Sequence, residues 1–195
     1  MSDDRVLIAG AGPVGLVAAA HLANAGVPVT VFEQGARLSE ESRASTFHPP
    51  TLDMLDELGA TGLLIEQGLK APTFQYRTKK RGLLAEFDFA AIADATAHPY
   101  RLQCEQSKLT RILYESFRGN PNFTVEFGCA VKAVSQTASG VQVTLERDGR
   151  PEPVARHEGR GGPRRERAAA AGRAHDGREP AGQRGPGVRA PGAGN

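Results

Sequence analysis

The sequence predicts an α/β fold, and three observations in residues 5–33 carry that expectation. Arg5-Val6-Leu7-Ile8-Ala9 is a short apolar run of strand length that stops at Gly10. The next stretch, Gly10-Ala11-Gly12-Pro13-Val14-Gly15, spells G-x-G-x-x-G, and Leu16, Val17, Ala19, Ala20 and Ala23 then recur at helical spacing as far as Gly26. After the turn at Val27-Pro28 a second β-branched run, Val29-Thr30-Val31-Phe32, ends on Glu33. Strand, glycine turn, helix, strand and acid follow in the order and length of a Rossmann-like βαβ unit that binds a nucleotide.

Each of these residue types has a physical task. Gly10 permits a tight turn off the strand, Gly12 lets backbone approach a pyrophosphate, and Gly15 lets the helix pack closely on the sheet. A helix N-terminus offers unpaired N–H groups and partial positive charge to the phosphates. Glu33, at the tip of the second strand, is placed to accept bonds from ribose hydroxyls. G-x-G-x-x-G alone is equally a glycine-rich turn of any α/β protein. The flanking strands, the helix and the acid favour the nucleotide.

Charge and aromatic content divide the chain in two. Of its 24 basic and 22 acidic residues, ten Arg and five acids fall in 150–195, leaving 14 basic and 17 acidic in 1–149. All eleven Phe and Tyr lie between Phe32 and Phe127. Residues 1–149 can therefore build a core, whereas 150–195 lack the means. Cys104 and Cys129 show no metal-ligand spacing and read as free, buried or half-buried thiols. No metal site is expected. Residues 6–20 resemble a signal-peptide apolar region, but Ser2-Asp3-Asp4 supply no basic start. No other stretch has the apolar length to span a membrane, so a cytoplasmic, soluble protein is expected.

Residues 34–50, QGARLSEESRASTFHPP, form a polar connection, and long connections of this kind are commonly functional. Arg43 within it is either a solvated loop residue or an arginine that folds back onto a phosphate; His48 in the same loop is assigned no role. After Pro49-Pro50, Thr51–Leu58 reads as a short helix with Leu52, Leu55 and Leu58 on one side, closed by Gly59; another follows over Thr61–Gln67. Phe74-Gln75-Tyr76-Arg77 and Glu86-Phe87-Asp88-Phe89 alternate around the turn Lys79-Lys80-Arg81-Gly82, predicting a β-hairpin over 73–90 with a solvated basic tip. His98 to Gln103 is an extended lead into a helix over Glu105–Phe117, whose buried face is Leu109, Ile112, Leu113 and Phe117. Phe123–Phe127, Val131–Ser135 and Val141–Leu145 read as strands, with turns at Ser139-Gly140 and Asp148-Gly149.

With these pieces in order, residues 5–145 resemble the FAD-dependent aromatic hydroxylases, the single-component flavoprotein monooxygenases related to para-hydroxybenzoate and phenol hydroxylases. The likeness rests on four stretches. They are Gly10 to Gly15 followed by Ala19, with Pro13 typical of the group; Val31-Phe32-Glu33; Arg43-Ala44 leading to Pro49-Pro50-Thr51-Leu52 and Leu55 to Gly59; and Arg101-Leu102-Gln103 followed by Leu109 and Leu113. The resemblance implies that Gly10, Gly12, Pro13, Val14, Gly15 and Glu33 bind FAD, and that Arg43 and Gln103 lie against it. It implies that the hairpin belongs to an antiparallel substrate-domain sheet. It also implies NADPH or NADH as reductant, O2 as co-substrate and a small phenolic ring as the group hydroxylated, the hard chemistry belonging to the cofactor. No residue is assigned a catalytic role.

The departures lie at the C-terminal end. The Asp-Gly and Gly-Asp motifs that the family carries further on are not recognisable, and Asp176-Gly177 has no apolar strand before it. Residues 150–195 instead hold ten Arg, ten Gly, nine Ala and six Pro, with no Leu, Ile, Phe or Lys. Such a segment buries too little apolar surface to offset its ordering entropy and is expected to be disordered. Because these four residue types are encoded by GC-only codons, a frameshifted or truncated copy is the favoured origin. An Arg/Gly-rich arm on nucleic acid is the weaker one, lacking interleaved aromatics for base stacking. The expected organisation is an incomplete FAD-binding domain over 1–149, with partial substrate-domain strands near 73–90, and a tail over 150–195. The alternatives to a monooxygenase are a non-catalytic FAD- or ADP-binding fragment and, less favoured because of Pro13, Arg43 and Gln103, an NAD(P) dehydrogenase.

Overall fold

The computed structural model describes residues 5–41, 44–137, 140–147 and 150–158. Strand β1 (Val6–Ala9) pairs in parallel with β2 (Val29–Phe32) from Val6↔Val29 to Ala9↔Phe32, and helix α1 (Pro13–Asn24) connects them. On the other side of β2, β8 (Phe123–Glu126) adds in parallel from Val29↔Phe123. All four residues of β2 are buried. A central parallel strand covered on both faces needs an unbroken apolar, β-branched run, and Val29-Thr30-Val31-Phe32 supplies one.

Helix α4 (Gln106–Phe117) packs on α1 and buries the four residues its periodicity predicts, Leu109, Ile112, Leu113 and Phe117. Together with Leu16, Ala19 and Ala20 of α1 they belong to one apolar core, which Val29 and Val31 complete from the sheet. Helix α2 (Pro49–Asp56) contributes Leu52 and Leu55, and α3 (Ala60–Ile65) contributes Ala60 and Leu64. The two helices are pinned by the buried Thr61 hydroxyl, which donates to the Leu52 carbonyl at 2.7 Å. Helix α2 starts earlier than expected: Pro49 and Pro50 stand inside it rather than before it, because a first helical turn has no use for the N–H that proline lacks.

Three further sheets surround this core. Short strands β3 (Thr46–Phe47) and β4 (Leu69–Ala71), neither of them expected, flank β7 (Arg101–Gln103) in antiparallel pairing. Gly68 makes that approach possible, since a Cβ there would stand 2.9 Å from the Gln103 carbonyl oxygen and from Leu102 Cδ1. The expected hairpin is formed by β5 (Thr73–Thr78) and β6 (Gly82–Asp88), paired from Thr73↔Asp88 to Thr78↔Gly82 and followed by a 3₁₀ turn over Phe89–Ile92. Among the described residues it stands as a two-stranded sheet of its own.

The last sheet is antiparallel, with β10 (Gly140–Arg147) between β9 (Cys129–Thr137) and β11 (Arg150–Glu158). It meets the parallel sheet in a small second core of Phe32, Cys129, Val143 and Leu145. Strand β11 lies within the stretch expected as a tail from residue 150. Arg150–Glu158 pair with β10 through main-chain groups, which require no large apolar side chains. Their edge position also tolerates Pro151 and Pro153, which would deny a central strand two donors. The remainder of the expected tail, 159–195, lies outside the described residues.

Candidate nucleotide-binding site

The loop between β1 and α1 turns at Gly10, which adopts φ of 96° and donates its N–H to the Phe32 carbonyl at 2.7 Å. That left-handed backbone is where glycine is favoured over any other residue. Gly15 is required for a different reason. A Cβ built on it would lie 2.1 Å from the Gly10 carbonyl oxygen, so the first turn of α1 rests directly on the loop. At Gly12 the opposite holds: its backbone is extended (φ −72°, ψ 177°) and a Cβ would meet nothing within 4 Å. The space beside Gly12 is open to a ligand that needs close contact with backbone.

Gly12 is the N-cap of α1, with no side chain capping the helix, and Pro13 occupies its first turn. That turn carries no acidic residue, so nothing in it competes with an incoming anion for the partial positive charge. Val14 beside it is 70% exposed, a large apolar side chain at the rim of the open space.

Glu33 closes the site from the end of β2. Its Oε2 accepts from the Ala11 N–H and its Oε1 from the Gly35 N–H, both at 2.8 Å. The half-buried carboxylate thus braces the glycine loop against the segment that follows β2, a role that its sequence position does not reveal. An ionised carboxylate offers about four acceptor sites, so ribose hydroxyls can still bond to it. Gly35 was not expected as part of the site. A Cβ there would stand 3.2 Å from Glu33 Oε1 and 3.0 Å from the Arg37 carbonyl, and its place two residues after the acid is the one hint the sequence contains.

Glu33 and the glycine loop are thus joined directly. Gln103 stands elsewhere, on β7, opposite Thr46, whose hydroxyl donates to Gln103 Oε1 at 3.0 Å. This leaves the carboxamide nitrogen as the donor toward a ligand. Among the described residues no hydrogen bond links Gln103 to the glycine loop. Arg43 lies outside the described residues, but the chain just after it runs along the Gln103 segment. Ala44 O accepts from Gln106 N at 3.0 Å and Ser45 O from Cys104 N at 2.9 Å. A cleft of about 460 Å³ opens beside Gln103, lined by Ser45, Gln67, Gly68, Cys104 and Lys108 among others. Burial pushes the Cys104 thiol above its ordinary pKa, against the opposing pull of Lys108, so it is held as the neutral thiol. His48 is exposed.

A polar cluster lies apart from these groups. Asp53, Asp56 and His98 bring ligand-type atoms within 4.8 Å of one another. Each is already engaged. The Thr96 hydroxyl bonds Asp53, while the two ring nitrogens of His98 meet Tyr100 Oη and Asp56 Oδ2. The cluster fastens the segment before β7 to α2.

Residues 3–155 match the FAD binding domain family. The chain belongs to that family. Para-nitrophenol 4-monooxygenase of Pseudomonas sp. (strain WBC-3) is 32% identical over 143 residues, which cover 73% of this chain and 35% of that protein. The 6-hydroxy-3-succinoylpyridine 3-monooxygenase HspB of Pseudomonas putida is 34% identical over 141 residues, or 72% of this chain and 36% of its own length. Among solved structures, p-nitrophenol 4-monooxygenase PnpA from Pseudomonas putida DLL-E4 superposes with a TM-score of 0.70 at 29% identity, over 76% of this chain and 38% of that one. The chain thus spans about a third of the length of these aromatic monooxygenases. The match to residue 155 reaches into β11, in agreement with the pairing of that strand. No helix among the described residues is long and apolar enough to cross a membrane.

Proposed function

We propose that this chain holds FAD in a flavin-dependent monooxygenase of aromatic, phenolic compounds that uses NADPH or NADH as reductant and O2 as co-substrate. The observation that carries the reading is the pairing of an open, uncapped helix N-terminus at Gly12 with the Glu33 carboxylate, inside a family match that covers most of the chain. Gly10, Gly12, Pro13, Val14 and Gly15 form the cradle for the pyrophosphate, and Glu33 takes the adenosine ribose. The Gln103 amide, together with Arg43, serves the far end of the cofactor. When bound, FAD supplies the oxygen chemistry. The chain's own residues bind its phosphates, fix its ribose and hold the glycine loop in the shape that both require.

Titration with FAD, ADP and FMN tests this. FAD and ADP should bind and FMN should not, because FMN lacks the adenosine ribose that Glu33 reads. Glu33→Gln, which exchanges charge-assisted hydrogen bonds for neutral ones, should weaken FAD binding by roughly tenfold. Equal affinity for FMN and FAD in the wild-type chain would refute the assignment.

The second reading is a non-catalytic FAD- or ADP-binding fragment, favoured by the composition that follows Val154. The family match and β11 extend past residue 150, and the Arg-, Gly-, Ala- and Pro-rich composition runs on beyond them. We infer a change of reading frame there. Translating the other two frames past the codon for Glu158, in search of an apolar strand followed by Asp-Gly, checks it. Phenol-dependent NADPH oxidation with oxygen uptake separates an enzyme from a binding fragment.

A further inference from the structure

Arg101 stands in surroundings that are unusual for an arginine. It sits on β7 opposite Ala71 of β4, at the joint between the β3–β7–β4 sheet and the β5–β6 hairpin. The side chain is half-buried, and its Nε is sealed from solvent with no hydrogen-bond partner. Among the described residues it forms no ion pair. Its guanidinium carbon lies 4.4 Å from the centre of the Phe74 ring. A buried donor of this kind is normally hydrogen-bonded, and this one is not.

The contact with Phe74 fixes where the cation lies. No hydrogen bond or ion pair among the described residues engages the guanidinium, which leaves N–H donors for a planar oxyanion. Phe74 is itself fixed by neighbours: Tyr76 packs against it edge-on at 4.7 Å and Phe87 lies stacked at 6.4 Å, directly across the hairpin. Tyr76 and Phe87 are each more than half exposed. An aromatic cluster thus carries a cation with an unpaired donor, which suits a ligand that is aromatic and carries an anionic oxygen.

We propose that Arg101 binds an anionic oxygen, carboxylate or phenolate, of the aromatic substrate. This rests on the monooxygenase reading above and narrows its substrate class from aromatic compounds to aromatic anions. The same donor edge would accept a phosphate oxygen of a nucleotide, so the test has to separate the two sources.

Benzoate and its neutral isostere benzamide serve as probes of the full chain, with and without FAD, followed by ligand-observed NMR. Benzoate should bind about tenfold or more tightly than benzamide, and Arg101→Met should abolish the preference while leaving ADP binding unchanged. Arg101→Lys, which keeps the charge but loses the flat fork, should recover only part of it. In the wild-type chain the Arg101 Nε–H resonance, assigned through bonds from the backbone, should move with benzoate and stay still with benzamide; this decides the matter if either variant fails to fold. No preference in the wild type, a preference retained by Arg101→Met, or an unmoved Nε–H signal would overturn the proposal. Displacement of benzoate by inorganic phosphate, with Arg101→Met weakening phosphate alone, would reassign the site to a nucleotide and equally overturn it. Failure of FAD or ADP to bind would count against the FAD reading and leave the benzoate comparison standing on its own.

Discussion

The β1–α1–β2 unit and the β5–β6 hairpin are built from similar residues and end in opposite situations. In the first, Leu16, Ala19, Ala20, Val29 and Val31 are fully buried, each with its partner within the chain. In the second, Tyr76, Leu83, Leu84 and Phe87 are about half exposed or more, and among the described residues β5 and β6 each pair only with the other. A two-stranded hairpin is marginal alone, and this one meets the neighbouring sheet where Phe74 lies against Arg101 of β7. The difference separates two kinds of site. The nucleotide cradle is completed by residues within a short stretch of chain, whereas the aromatic platform presents groups that require a partner.

The largest test of that contrast is a matched pair of truncations. Leu113, fully buried between α4 and the core, should cost about 2–5 kcal/mol when replaced by alanine. Leu83→Ala on the hairpin, at a site 48% exposed, should stay within about 0.5 kcal/mol of wild type. Urea denaturation of both variants gives the comparison. Equal losses would mean that the hairpin contributes to the cooperative core, and the distinction between the two regions would fall.

A second pair divides stability from binding inside the cradle. Gly15→Ala forces a methyl group onto the Gly10 carbonyl oxygen and should destabilise the fold by about 1–3 kcal/mol, at the upper end because the obstacle is backbone. Gly12→Ala meets no atom within 4 Å and should leave the melting temperature almost unchanged. Its effect should appear in FAD binding, where the methyl group fills the approach to the pyrophosphate. Thermal melts alongside FAD titrations would show the two glycines swapping roles if the assignment is mistaken.

These glycines were legible because a motif of fixed spacing states its own geometry. The helix faces were legible for a similar reason: in α4, Leu109, Ile112, Leu113 and Phe117 repeat at the helical period over three turns. What was not legible lacks a period or depends on distant chain. Strands β3 and β4 span only two and three residues, too few to alternate, and are strands because β7 passes between them. Strand β11 is Arg-, Pro- and Glu-bearing, and exists because the edge of β10 offers main-chain partners to nearly any sequence. At the site, Glu33 was visible as an acid after a strand. Its bond to the Ala11 N–H was not, since that partner lies 22 residues away and is a backbone group. Arg101 stood inside a motif that drew attention to Gln103, and its lack of a counter-charge is a property of the fold alone.

The smallest expected effect on stability is also the most direct probe of the platform. Phe87 is 55% exposed and pairs across the hairpin with Phe74, so Phe87→Ser removes apolar surface that the described chain leaves largely uncovered. Its loss should change folding free energy by no more than about 0.5 kcal/mol, since an exposed side chain contributes little burial. Exposed apolar surface does, however, bind hydrophobic dyes and promotes association between copies. The variant should therefore bind less of a fluorescent apolar dye and sediment as a monomer to higher concentration than wild type. It should also loosen Phe74, which is stacked on Phe87, and through Phe74 the plane of Arg101. A drop in benzoate binding at unchanged melting temperature would tie the platform to the cation it holds. A drop in melting temperature with dye binding unaltered would instead show that Phe87 is already covered, and the contrast between the two regions would have to be drawn elsewhere.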